Sequence, residues 1–133
     1  MVIEIDGKTL WDVMESSLSS FPSQEGRFPI VSGLCVEWDS RKAPGQRVVG
    51  IWSQMMAQHP TDVDVPQPQK GEPVENKPGG RVYKIVTREY MYEGHDGCEA
   101  LMGQPCLVDE ESGLIMSAII RRFLLGEYAS CFY

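Results

Sequence analysis

Apolar and polar residues alternate over Val2-Ile3-Glu4-Ile5, the period of a strand with one buried face, and Asp6-Gly7 ends the run. The period then changes. Leu10, Val13, Met14, Ser17 and Leu18 recur three and four apart, which predicts an amphipathic helix over residues ~8–19. Ser19-Ser20-Phe21-Pro22 stops it, because proline has no N–H to continue the ladder. Leu34, Val36 and Trp38 alternate with Cys35 and Glu37, and Lys42-Ala43-Pro44-Gly45 supplies a turn. Arg47 to Gln54 returns as a second strand, making a hairpin with a loop longer than two residues. Arg81 to Thr87 alternates strongly and is another strand. Tyr90 to Gly97 reads as a glycine-bearing loop, followed by a short helix at ~98–103.

Ser112 is placed to cap a last helix, with Ile115, Ile119 and Phe123 on one row and Met116, Ile120 and Leu124 on the next. Asp109, Glu110 and Glu111 precede it and Arg121 and Arg122 come late, the order a helix dipole favours, before Gly126 as a stop. Between the hairpin and the Arg81 strand the pattern lapses. Residues ~57–80 hold five of the nine prolines and little apolar content, so a mobile surface loop without core residues is expected there. These elements predict one α+β domain over residues 1–133, a mixed or antiparallel sheet with two to three packing helices.

Composition narrows the function classes. A net charge of −7 argues against a nucleic-acid polymer or an anionic membrane as partner, since clustered Lys and Arg read those surfaces. No apolar run approaches the ~20 residues that span a bilayer, and the acidic, alternating N-terminus is unlike a signal peptide. Cys35, Cys98, Cys106 and Cys131 are too sparse for a disulfide scaffold, although the spacing permits a Cys98–Cys106 bridge. His59 and His95 are far apart, so no dinuclear metal centre is expected, and no residue takes a catalytic or metal-ligating role. His95 and Cys98 lack the third group a Cys–His nucleophile needs. Arg121 and Arg122 read as a solvated helix face, and Glu4, Asp6 and Asp39 have no acid–base motif around them.

Four segments stand in a specific order: Gly7-Lys8-Thr9-Leu10 with Val13-Met14-Glu15; Gly26 through Leu34; Pro44-Gly45-Gln46-Arg47-Val48-Val49; and Tyr83 through Thr87 leading to Glu93-Gly94-His95-Asp96-Gly97. Together they resemble the C-terminal domain of 5'-nucleotidases over residues ~3–101, and the tail from Pro105 is matched only in being helical. The resemblance implies a two-domain phosphohydrolase. An N-terminal metallophosphoesterase domain, absent from this sequence, holds two divalent metal ions that activate water, and the C-terminal domain grips the nucleoside. Carried over residue by residue, Tyr90 stacks on the base and Asp96 accepts hydrogen bonds from the ribose hydroxyls, with Tyr92 as the stacking residue if the register slips. Gly94 and Gly97 adopt positive φ and let the backbone approach the sugar.

The family loop usually has glycine where this chain has His95, and an aromatic where it has Cys98. The family's second stacking aromatic and its asparagine-glycine-arginine motif lie upstream of the first matched segment. The expectation is therefore the nucleotide-binding portion of a 5'-nucleotidase-type enzyme, inactive alone and self-associating through uncovered apolar surface. The alternative is a non-enzymatic interaction module on the same scaffold. The family suggests a secreted or cell-surface parent.

Overall fold

The computed structural model describes residues 1–23, 25–55 and 69–126. Strand β1 (Val2–Asp6) runs directly into helix α1 (Gly7–Leu18). Strands β2 (Leu34–Trp38) and β3 (Val48–Met55) form the expected hairpin, and β4 (Gln69–Pro73) adds to it. Strand β5 (Val82–Val86), helix α2 (Glu89–Tyr92), two 3-10 turns (His95–Gly97 and Glu99–Leu101), strand β6 (Cys106–Val108) and helix α3 (Met116–Leu124) follow. Two antiparallel three-stranded sheets result, in the orders β5-β1-β6 and β2-β3-β4.

Helix α1 joins the two sheets. Its apolar stripe buries Leu10, Val13, Met14 and Leu18 against Ile3 and Ile5 of β1, Val48 and Ile51 of β3, and Val74, Cys98 and Leu101. Ile3 and Ile5 sit on the inward face of β1, opposite Ile85 and Tyr83 of β5. Polar groups fix both ends of the helix. Asp6 caps the first turn, its carboxylate accepting the Thr9 N–H at 2.8 Å and the Gly79 N–H at 2.9 Å. At the other end the buried Arg47 guanidinium donates to the carbonyls of Leu18 and Ser19 (3.0 Å), acceptors at the helix terminus, and to that of Lys42 (3.2 Å) in the loop between β2 and β3. Glu15 ties the helix to β3 by accepting from the N–H groups of Arg47 at 2.9 Å and Val48 at 2.8 Å. The spaced motifs around Glu15 and Arg47 are thus a single helix-to-sheet joint.

Four expectations are corrected. The segment expected to be a coreless loop over 57–80 contains β4, and Val74 just after it is buried, with its N–H bonded to the Ile51 carbonyl at 2.8 Å. The Trp11 indole N–H donates to the Val74 carbonyl at 2.8 Å, so this stretch closes over α1; residues 56–68, including His59, lie outside the described residues. Tyr90 lies in α2 and not in a loop continuing from β5, because a full turn of helix forms over Glu89–Tyr92. Pro105 is followed by a short strand, β6, which pairs with β1. Ser112 does not cap α3: its N–H donates to the Asp109 carboxylate at 2.7 Å, and the helix starts after Ile115 without a side-chain cap. Helix α3 has no buried residue, so α1 alone of the longer helices packs into the core.

Candidate functional site

The turn after β5 is built by glycine. Gly94 (φ 87°) ends α2 in the left-handed region, and Gly97 (φ 80°) repeats this three residues later. Between them Asp96 is the one non-glycine residue with positive φ among the described residues (φ 54°, ψ 33°). Aspartate tolerates this region better than most residues. Both glycines are also close-packed. A methyl at Gly94 would lie 2.6 Å from the Met102 sulfur, and one at Gly97 would lie 2.6 Å from Ser16 Oγ and 3.1 Å from Arg27 Nη1. The resemblance implied that these glycines open an approach to a sugar; on the side a side chain would take, the space is filled by the protein itself.

Tyr90 and Asp96 come together on the surface. The Tyr90 hydroxyl donates to Asp96 Oδ1 at 3.4 Å, and the Tyr90 side chain is 47% exposed. Tyr92, the alternative stacker, packs partly against the core and its hydroxyl donates to the Gln104 carbonyl at 3.1 Å. Of the two, Tyr90 is the one that offers a ring to solvent. The other Asp96 oxygen lies next to Gly26, where a methyl would come within 3.5 Å of it, so the Gly26-Arg27 segment borders the site. Arg27 also pairs with Glu25 at 2.9 Å. That segment was legible in the sequence as a motif without a place; its position beside Asp96 and Gly97 supplies one.

His95 adds a contact that the sequence did not suggest. Its imidazole stacks on the Tyr90 ring, with centroids 4.5 Å apart and planes inclined at 24°, and its Nε2 lies 3.4 Å from a Glu93 oxygen. Cys98 takes no part in surface chemistry: it is 1% exposed in the core, and burial, with help from Asp96 and Glu99, pushes its thiol above the usual range. Cys35, Cys98 and Cys106 are free thiols, with Cys98 buried and Cys106 exposed, so the permitted Cys98–Cys106 bridge does not form. Cys131 lies outside the described residues.

The surroundings are acidic. Glu89, Glu93 and Glu99 are exposed on the same segment as Asp96, and the nearby Glu110 carboxylate, more than burial, raises the Glu89 carboxyl above its ordinary value. A phosphate is repelled by such a patch, whereas sugar hydroxyls, which donate to carboxylates, are accepted. Among the described residues no group of three or more His, Cys, Asp or Glu side chains is arranged to hold a metal ion. A cleft of about 380 Å³ lies elsewhere, between Gly7, Pro73, Glu75 and Tyr83, crossed by the Arg81–Glu72 ion pair.

Comparison with known proteins gives three findings. The model of the family "5'-nucleotidase, C-terminal domain" matches residues 1–103. A 5'-nucleotidase from Diplobatis ommata is 33% identical over 111 residues, covering 84% of this chain and 17% of that protein. The crystal structure of a 5'-nucleotidase precursor from Thermus thermophilus has a similar fold, with a TM-score of 0.60 and 23% identity over 77% of this chain and 18% of the other. The chain therefore spans less than a fifth of the length of either relative.

Proposed function

The chain belongs to the 5'-nucleotidase C-terminal domain family, and on that premise we propose that its Tyr90–Asp96 turn is the nucleoside-gripping part of a nucleotide phosphohydrolase. The observation that carries this is the convergence of one exposed aromatic ring and one exposed carboxylate, 3.4 Å apart at the hydroxyl, on a turn held by two left-handed glycines. Tyr90 supplies a π-face for a base, and Asp96 supplies two acceptor oxygens for the neighbouring ribose hydroxyls. The acidic surroundings direct the phosphate end of a nucleotide away from this turn. Gly94 and Gly97 keep their role through the turn's shape. The reaction of the wider enzyme, water attack on a phosphate ester aided by two divalent metal ions, is assigned to an N-terminal domain as the family resemblance implies. This chain's own contribution is positioning, the entropic share of catalysis.

One ring and one carboxylate contribute only a few kcal/mol, while association costs at least ~4 kcal/mol, so adenosine binds this chain no more tightly than the millimolar range. Titrating adenosine into the ¹⁵N-labelled chain should shift the amides of residues 90–97 first. Tyr90→Ala and Asp96→Ala should each weaken the response while leaving the remaining spectrum intact. Shifts centred on another surface, or unchanged binding in both folded variants, would sink the assignment.

A further inference from the structure

Tyr90 is half exposed, but one face of its ring is already taken. The His95 imidazole covers it at 4.5 Å and 24°, the geometry of a stacked aromatic pair. His95 and Asp96 are consecutive residues of one 3-10 turn. A ribose held by Asp96 carries its base only one glycosidic bond away, so the ring face on the turn's side is the one that base meets. His95 occupies that face.

We propose, resting on the nucleoside assignment of Tyr90 and Asp96, that His95 is an intramolecular stand-in for the base: it stacks on Tyr90 when the site is empty and must rotate away before a nucleoside can stack. The device is self-contained. The imidazole is held by the ring and by an exposed Glu93 carboxylate 3.4 Å from Nε2, and both side chains of that pair are more than half exposed, so the hold is weak enough to release. Release needs only rotation of the His95 side chain, since its backbone is fixed between Gly94 and Asp96. The consequence is an affinity tax: the apparent dissociation constant is the intrinsic one divided by the fraction of molecules with Tyr90 uncovered. An aromatic stack shifts such an equilibrium by about two- to tenfold. The tax falls equally on every base, because the imidazole is displaced before the base is read.

The test is a titration of the 133-residue chain and its His95→Ala and His95→Phe variants with adenosine and with cytidine, followed by NMR. In the free chain, cross-relaxation should link the His95 and Tyr90 rings, and it should disappear as adenosine is added. His95→Ala should tighten both nucleosides by the same factor, about two- to tenfold, and His95→Phe should restore the block. Unchanged or weaker binding in His95→Ala, while Tyr90→Ala still abolishes binding, overturns the stand-in and leaves the nucleoside assignment intact. A factor that differs between adenosine and cytidine also overturns it, because His95 would then be touching the bound base. If Tyr90→Ala and Asp96→Ala bind like the parent, the nucleoside assignment falls, and the stand-in falls with it.

Discussion

Replacing Gly97 with alanine probes how the turn is held against helix α1. Two costs add. The residue sits at φ 80°, where a Cβ costs roughly 1–2 kcal/mol. The new methyl would lie 2.6 Å from Ser16 Oγ, forcing that hydroxyl off its rotamer at about 0.5–1.5 kcal/mol, while the Arg27 guanidinium at 3.1 Å is the end of a flexible chain and gives way. The expected destabilisation is about 2–3 kcal/mol, a large part of what a small domain possesses. Urea unfolding followed by the fluorescence of Trp11, Trp38 and Trp52 measures it. The double variant Ser16→Ala/Gly97→Ala should recover about 1 kcal/mol, because the hydroxyl is gone and only the backbone cost remains. A loss below about 0.5 kcal/mol in Gly97→Ala would refute the strained geometry. A full loss with no recovery in the double variant would refute the Ser16 contact.

Two other substitutions test the helix-to-sheet joint and the uncovered helix. Arg47→Ala removes a charged donor from three carbonyls and should destabilise by about 2–4 kcal/mol; Arg47→Lys should recover less than half, because one ammonium cannot reach what the guanidinium fork reaches, and equal stability of the two variants in urea would disprove the fork. Helix α3 exposes Met116 (70%), Phe123 (72%) and Leu124 (76%), so the chain should associate with itself as concentration rises; sedimentation should show Phe123→Asp weakening this at least about tenfold, and a monomer at every concentration would refute it.

The elements that could be read in advance are those whose burial imposes a period. Helix α1 showed itself because Leu10, Val13, Met14, Ser17 and Leu18 all face inward, and β2 and β3 because each pairs its alternation with the other. Strand β4 stayed hidden for the opposite reason. Gln69-Lys70-Gly71-Glu72-Pro73 lies at a sheet edge with almost nothing buried, so its pairing with β3 is a backbone matter that no side-chain pattern records. Strand β6 is three residues long and equally exposed. Helix α3 had the right period but the wrong start, because Ser112 belongs to an Asp109 turn and not to a helix cap. At the site, Tyr90 and Asp96 could be named only through the resemblance. The resemblance put Tyr90 first and held Tyr92 in reserve, and the fold sends the first ring to solvent and the second to the core edge. The His95 stack was out of reach, since no spacing rule places a residue five positions on across a left-handed glycine.

Asp6 gives a pH prediction that joins three parts of the chain. Its carboxylate lies where β1 becomes α1, and it receives the N–H groups of Thr9 in the helix and Gly79 ahead of β5. Those bonds, the Thr9 one foremost, hold the carboxyl below its ordinary value, because they favour the charged form. The sign follows from linkage. A carboxyl whose folded pKa lies below its unfolded one contributes stability above the unfolded pKa, near ~4, and that contribution is lost as pH falls through the lower folded value. Asp39 behaves likewise, lowered to about 2 by the Arg41 side chain, so the parent alone cannot isolate Asp6. Comparison with Asp6→Asn does, because the Asp39 effect is common to both proteins and cancels. Asparagine can still accept from Thr9 but carries no charge to titrate. Urea unfolding from about pH 6 down to about pH 2 should therefore show the parent more stable than Asp6→Asn at the upper end, with the gap closing below about pH 4. A gap that stays constant over that range would mean that the Asp6 contacts to Thr9 and Gly79 do not depend on its charge.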